Sequence, residues 1–124
     1  MLDKKATGNY GEDLAVKYLS RKGFQIIERN FRTRNGEIDI VAIDRRGKQP
    51  VLVCIEVKAR SSRDYGTPLE AITYFKLKAL IRTLQYYKST HKGLPELMRI
   101  DGVSLLKDNE GDFTIEHHED ISAY

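Results

Sequence analysis

Two apolar runs stand on either side of a polar break in the middle of the chain. Gly36-Glu37-Ile38-Asp39-Ile40-Val41-Ala42-Ile43-Asp44 comes first, then Arg45-Arg46-Gly47-Lys48-Gln49-Pro50, then Val51-Leu52-Val53-Cys54-Ile55-Glu56-Val57-Lys58-Ala59-Arg60. The runs are rich in β-branched residues and the break in turn formers, which predicts a hairpin of two interior strands. Upstream, Gly11, Leu14, Ala15, Tyr18 and Leu19 recur at helical spacing, predicting a helix from Gly8 to Lys22 that stops at Gly23. Residues 1–7 read as a frayed lead-in, and Phe24 to Phe31 as a first strand. Downstream, a long helix is expected from Leu69 to Ser89. Its apolar stripe is Leu69, Ile72, Leu80 and Tyr87, with Phe75 and Ala79 alongside. A second ridge of Tyr74, Leu77 and Ile81 faces elsewhere, over another part of the sheet or on a dimer surface. Met98 to Leu106 and Phe113 to His118 read as two more strands, joined by a turn at Asn109 to Asp112. The order α-β-β-β-α-β-β predicts an α/β fold within one domain, residues 1–124, with a mixed central sheet flanked by two helices.

Three charges interrupt the apolar runs: Asp39 in the first, Glu56 and Lys58 in the second. An unpaired buried charge costs several kcal/mol, so these groups are either paired tightly or used. Strand side chains alternate with period two, which puts Glu56 and Lys58 on one face and Val51, Val53, Ile55 and Val57 on the other. Asp39 can lie across the hairpin from the charged pair. Two carboxylates so placed make a hard oxygen site suited to Mg²⁺ or Mn²⁺. The lysine can hold an attacking water or offset charge on a phosphoryl oxygen. The plainer alternative is an ion pair of Lys58 with Glu56 or Asp39 at a sheet margin.

The net charge of +3 conceals an asymmetry. From Lys107 onward there are six acids and one base, so residues 1–106 carry +8. A basic body suits a polyanion such as DNA or RNA, unless it is only a solvated surface balanced by an acidic tail. Arg32 and Arg34 precede the Asp39 strand. Arg60, Arg63 and Tyr65 follow Lys58, where arginines with an interleaved aromatic suit a phosphate track and a stacking surface. Lys76 falls within the apolar stripe of the long helix, a conflict that marks either function or snorkelling to the margin. Glu12 sits at the edge of the first helix's buried face, able to reach the acidic cluster or to complement the helix dipole. Glu37 lies on the Asp39 face at the strand's mouth. Asp44, Arg45, Arg46 and Lys48 read as a solvated hairpin tip, and Arg99 and Asp101 as an ion pair or as substrate contacts.

Other chemistries are absent from the sequence. Cys54 is the sole cysteine, so no internal disulfide forms. His117 and His118 are adjacent and point to opposite faces of a strand, and the sequence holds no Cys/His zinc spacing, phosphate-binding loop, nucleophile elbow or repeat. No apolar run is long enough for a membrane span, and Met1-Leu2-Asp3-Lys4-Lys5 has no apolar stretch behind it. The expectation is a cytoplasmic protein without a membrane partner.

Asp39 followed by Glu56-Val57-Lys58 resembles the D…(D/E)-x-K signature of the PD-(D/E)XK nuclease superfamily. Gly8-x-x-Gly11-Glu12-x-x-Ala15-x-x-Tyr18-Leu19, Asn30-x-Arg32, Gly36-Glu37-Ile38-Asp39, Glu56-Val57-Lys58-x-Arg60, Tyr65-Gly66-x-Pro68, Lys76 and Arg99-x-Asp101 resemble the YraN-like family of small bacterial proteins, over residues 8 to 106. That family is similar to archaeal Holliday-junction resolvases. The resemblance implies a restriction-endonuclease-like core and metal-dependent hydrolysis of nucleic-acid phosphodiesters, with DNA, branched DNA in particular, as substrate and a symmetric homodimer as the assembly. On this reading Asp39 and Glu56 bind Mg²⁺ or Mn²⁺, with the Val57 carbonyl and Glu12 completing the shell. Lys58 orients the water, and Arg32, Arg60 and Lys76 hold phosphates. The alternatives are a non-catalytic nucleic-acid-binding module of the same fold, and a protein adaptor in which Asp39, Glu56 and Lys58 form a structural network.

Overall fold

The computed structural model describes residues 4–61 and 72–122, with side chains described from Tyr10 onward. Its elements run α1 (Lys4–Lys22), β1 (Phe24–Thr33), β2 (Gly36–Asp44), β3 (Val51–Ser61), α2 (Tyr74–Thr90), β4 (Leu97–Lys107) and β5 (Phe113–His118). The fold is α/β, with a five-stranded sheet in the order β1-β2-β3-β4-β5. All neighbours are antiparallel except β3 and β4, which pair in parallel from Val51↔Leu97 to Ser61↔Lys107. A parallel pair needs a crossover, and α2 lies within it. Neither described helix is long and apolar enough to cross a membrane.

Each sheet face carries its own core. On one, Ala15 and Leu19 of α1 pack on Ile40, Ala42, Val53, Ile55, Val103 and Leu105. On the other, Leu80, Leu84 and Tyr87 of α2 pack on Ile38, Val41, Ile43, Leu52, Cys54 and Ile100. The period-two alternation of β3 thus sends Leu52 and Cys54 toward α2, and Val53 and Ile55 toward α1. Burial pushes the Cys54 thiol well above its ordinary pKa. Gly11 sets how closely α1 approaches the sheet. A Cβ there would stand 2.9 Å from Leu105 Cδ1 and 3.6 Å from Ala59 Cβ. Gly23, at φ +114°, stops the helix as expected.

Several boundaries differ from the sequence expectation. Helix α1 begins at Lys4, inside the stretch read as a lead-in; Lys and Ala there are good helix formers. Strand β1 continues through Thr33, so Arg32 is a strand residue opposite Glu37 rather than part of a loop. Helix α2 begins at Tyr74, not Leu69. Thr73 is its N-cap, in extended conformation, and its hydroxyl accepts from the Lys76 N–H at 3.1 Å. Leu69 lies outside the described residues. Phe75, placed beside the apolar stripe, is 81% exposed, whereas Leu77 and Ile81 pack against the α2-side core.

Asp44 is not part of a solvated tip, although Arg45, Arg46 and Lys48 are exposed. Asp44 is buried and receives Arg46 Nε at 2.9 Å, Arg46 Nη2 at 2.7 Å and Arg99 Nη2 at 2.9 Å. Arg99 also forks onto Asp101, at 2.7 and 2.9 Å, and its guanidinium and that of Arg46 lie over the Phe24 ring. Asp101 is completely buried and further accepts from the Asp120 N–H. The His117 ring, also buried, stands 2.8 Å from Asp101 through Nε2 and 2.8 Å from Lys22 Nζ through Nδ1. An ammonium can only donate, so Nδ1 accepts and Nε2 carries the proton given to Asp101. Arg99 and Asp101 therefore belong to a structural network.

Hydrogen bonds, chiefly from Arg46, hold the Asp44 carboxyl well below the usual carboxylate range. At Asp101 burial pushes upward, but bonds from Arg99, His117 and the Asp120 N–H outweigh it. Depressed folded-state values contribute stability that is full above the unfolded pKa of about 4 and is lost as pH falls below it. Arg99→Met should cost ~3–5 kcal/mol at pH 7, the usual cost of breaking a buried pair, and should flatten the loss of stability between pH 5 and 2. Urea unfolding across that range checks this. A variant with the wild-type acid slope would acquit the network as its source.

Candidate active site

The site forms where β2 and β3 part. Their pairing runs from Asp44↔Val51 to Ile40↔Ile55 and stops there. One residue beyond, the Asp39 carboxylate takes over a main-chain role: its Oδ2 accepts the Val57 N–H at 2.8 Å. β1 is irregular opposite, with Asn30 at φ +54°, between the pairs Arg29↔Ile40 and Phe31↔Ile38. Asn is among the few residues that adopt this left-handed conformation readily. The consequence is that Arg29 and Asn30 both reach the α1 side. Arg29 Nε and Asn30 Nδ2 donate to Glu12 Oε1 at 2.8 and 3.2 Å, while Arg29 Nη2 donates to Asp13 at 2.6 Å.

Glu56 is 3% exposed. Its Oε1 lies 3.5 Å from Lys58 Nζ and 3.7 Å from Lys76 Nζ. Both separations exceed a good hydrogen bond, so the ammonium groups neutralise the carboxylate without binding it closely. Among the described residues, Glu56 Oε2 is a buried oxygen without a hydrogen-bond partner. A buried carboxylate oxygen left open in this way normally calls for an explanation such as a bound ion. Burial pushes the Asp39 carboxyl up to about 7, reinforced by the Glu56 charge and by Glu12 and Glu37, and opposed by the Val57 N–H.

The sequence-identified residues separate accordingly. The structure brings Asp39, Glu56, Val57, Lys58 and Lys76 together, and Glu12 is near enough for its charge to act on Asp39. Glu12 is nonetheless engaged by Arg29 and Asn30 rather than open. Arg32 is largely exposed, 3.3 Å from Glu37, and Arg34 is exposed in the turn before Gly36. Arg60 is half-buried toward the end of β3, on the Glu56 and Lys58 side by period two. Arg63 and Tyr65 lie outside the described residues, as do Gly66 and Pro68. Arg29 was missed, and Asn30 was noted only as part of a pattern. The left-handed tolerance of asparagine was the available signal.

The donor set of Asp39 and Glu56 is all hard oxygen, and the charge crowding on Asp39 together with the unpartnered Glu56 Oε2 is what a divalent cation would relieve. These residues fit such an ion. Among the described residues, no group of three or more His, Cys, Asp and Glu side chains is gathered for a metal, so a main-chain or solvent oxygen would have to complete the shell.

The fold and site define an α/β protein whose mixed sheet opens between two strands to hold buried carboxylates beside lysines. The chain belongs to the uncharacterised protein family UPF0102, whose model matches residues 11–105. It is 40% identical to a UPF0102 protein of Persephonella marina over 82% of this chain and 84% of that one. It is 40% identical to one of Kineococcus radiotolerans over 96% and 95%, and 43% identical to one of Geobacter metallireducens over 84% and 82%. Among solved structures, Pyrococcus furiosus SfsA in complex with Ca²⁺ aligns with TM-score 0.37 and 13% identity, covering 96% of this chain and 64% of that one.

A carboxylate raised to about 7 favours the fold when protonated. Its contribution is full below the unfolded value of about 4 and is lost as pH rises through 7. In EDTA, Asp39→Asn should therefore gain on the wild type as pH rises from 4 to 8, by roughly 2–4 kcal/mol over that range. Parallel thermal melts of the two proteins measure this. A constant difference across that range would disprove the shift.

Proposed function

We propose that this protein is a metal-dependent nuclease that hydrolyses phosphodiester bonds, with DNA as the favoured substrate, on a restriction-endonuclease-like core. The observation that carries the reading is the Glu56 carboxylate. It is buried beside the burdened Asp39 carboxyl, one oxygen has no partner among the described residues, and two ammonium groups lie nearby. A purely structural ion pair would satisfy both oxygens. Mg²⁺ or Mn²⁺ would be held by Asp39 and Glu56 with the Val57 carbonyl, and when bound would polarise the phosphoryl oxygen and acidify a water. Lys58, on the same strand face as Glu56, holds the attacking water and offsets charge developing on the phosphoryl group. Lys76 approaches from α2 and fixes a phosphate beside the reacting one. Arg32, Arg34 and Arg60 would extend that phosphate track. Arg29 and Asn30 hold Glu12 so that its charge bears on Asp39 without a direct bond. The family resemblance to resolvases extends the proposal to branched DNA and a two-fold dimer, since paired cuts need paired sites.

One observation favours a second reading, a nucleic-acid-binding module that does not cut. Among the described residues, Asp39 and Glu56 are the nearby acids open to an ion, because Glu12 is already engaged by Arg29 and Asn30. Labelled duplex, single strand, flap and four-way junction, each incubated with Mg²⁺, Mn²⁺ or EDTA, separate the two. Cleavage should require the metal, should be abolished by Glu56→Ala, and should fall about 100-fold or more in Lys58→Ala, both variants keeping the wild-type circular dichroism. Salt-sensitive binding indifferent to metal, without cleavage, would replace the nuclease with the binding module. Cleavage that survives both substitutions would remove these residues from the mechanism.

A further inference from the structure

The first turn of α2 carries two exposed aromatic rings that the site described above does not use. Phe75 is 81% and Tyr74 61% exposed. The other three phenylalanines, Phe24, Phe31 and Phe113, are buried or half-buried, so Phe75 departs from how this chain otherwise treats that side chain. The rings sit edge to face with centroids 5.8 Å apart. Capping is supplied by Thr73, so neither ring is needed to start the helix. Lys76 follows directly and reaches Glu56 at 3.7 Å, so the rings ride on the same helical turn as a side chain of the candidate active site. Lys78 lies over Tyr74, with Nζ 5.2 Å from the ring centroid. Along its whole length α2 has four bases, Lys76, Lys78, Arg82 and Lys88, and no acid.

Exposed rings interleaved with cations suit one kind of partner better than others. A second copy of the same face would bring like charge against like charge. An acidic protein would use the lysines but has no particular need of flat π-surfaces. A nucleic acid uses both, since phosphates meet the cations and bases stack on the rings. Bases inside a duplex are already stacked on each other and present only their edges, so the rings can engage only an unpaired nucleotide.

We infer that Tyr74 and Phe75 form a stacking platform for an unpaired nucleobase next to the phosphate held by Lys76. The substrate class is thereby narrowed to nucleic acid with a single-stranded tail, gap or branch point beside the reacting bond. This rests on the nucleic-acid reading of the same site. Its test is binding in EDTA, where cleavage cannot interfere. The probes are a blunt DNA duplex and the same duplex extended by a short single strand containing 2-aminopurine. The full-length protein should prefer the tailed probe and change its 2-aminopurine fluorescence. Phe75→Ala should weaken tailed-probe binding roughly 10- to 100-fold and abolish the fluorescence change. Its affinity for blunt duplex should stay within about twofold, and Phe75→Trp should restore the tailed-probe affinity. Because Phe75 lies at the surface, these variants should melt as the wild type does. Equal losses on both probes, or no loss while DNA is still bound, would overturn the platform and leave the nuclease reading standing. A wild-type protein that binds neither probe at low salt would overturn the nucleic-acid reading itself. A wild-type dimer in sedimentation that Phe75→Ala converts to monomer would assign the rings to a contact between copies and overturn the inference.

Discussion

The hydrogen bond from the Val57 N–H to Asp39 Oδ2 is the contact on which the site depends. It stands where a main-chain bond between β2 and β3 would otherwise continue the ladder. A continued ladder would pack the strands together and leave no space between them. A simple separation would strand the Val57 N–H without a partner, at the cost of a buried unsatisfied donor. A side-chain acceptor resolves both constraints: the backbone is satisfied, the strands open, and a carboxylate is fixed at the opening. Glu56 enters the same space because it precedes Val57 and points to the opposite face. Lys58 follows Glu56 by one period.

The two ends of the molecule treat similar side chains in opposite ways. Near the C-terminal end of α1, Asp44 and Asp101 are surrounded by Arg46, Arg99 and His117, and each carboxylate receives several donors. The cluster is buried, satisfied and favours the charged acids. Near the other end, among the described residues, Asp39 has one main-chain donor and acidic neighbours, and Glu56 keeps an oxygen without one. Arginine with its planar fork serves the first cluster, and lysine with a single mobile charge serves the second. The first arrangement anchors β4 and β5 to the β2–β3 hairpin. The second holds repulsion that a cation or a proton relieves, which is the usual character of sites that do work rather than of those that hold a fold.

The hairpin and the positions of Asp39, Glu56 and Lys58 were legible because period-two alternation is a strict geometric rule and charges in apolar runs violate it visibly. The order of elements along the chain and the two helices were legible from the hydrophobic periodicity. The pairing of Asp44 with Arg46 was not, because charges beside a turn look solvated until Arg99 and Glu119 arrive from distant positions to pair with them. The exposure of Phe75 was hidden by its place beside a helical stripe, where a rotation of α2 by a fraction of a turn decides whether a ring meets the sheet or water. Thr73 sets where that helix starts, and its capping role competes with an apolar pattern that extends back to Leu69 in the sequence. For Glu12 the sequence left open a reach toward the acidic cluster or a match to the helix dipole, and its bonds to Arg29 and Asn30 depend on a left-handed residue that hydrophobic pattern does not reveal.

The parallel pairing of β3 with β4 has a consequence for the order in which the molecule is assembled. The β1–β2 and β2–β3 contacts are local and close after short turns, whereas β4 can join β3 only after the connection from Ser61 to Leu97 has been looped back. Closing that loop costs entropy before any contact rewards it, so this pairing is the slow step of a mixed topology. Until it occurs, the edge of β3, with Leu52, Val53, Cys54 and Ile55, is an open template for pairing with other chains. Lys76, carried on the crossover, is absent from Glu56 for the same interval. The step that removes the risk of aggregation is therefore also the step that brings the last ammonium group to the carboxylates. A chain caught partway is left with a sticky edge and an incomplete site, and a finished chain has neither.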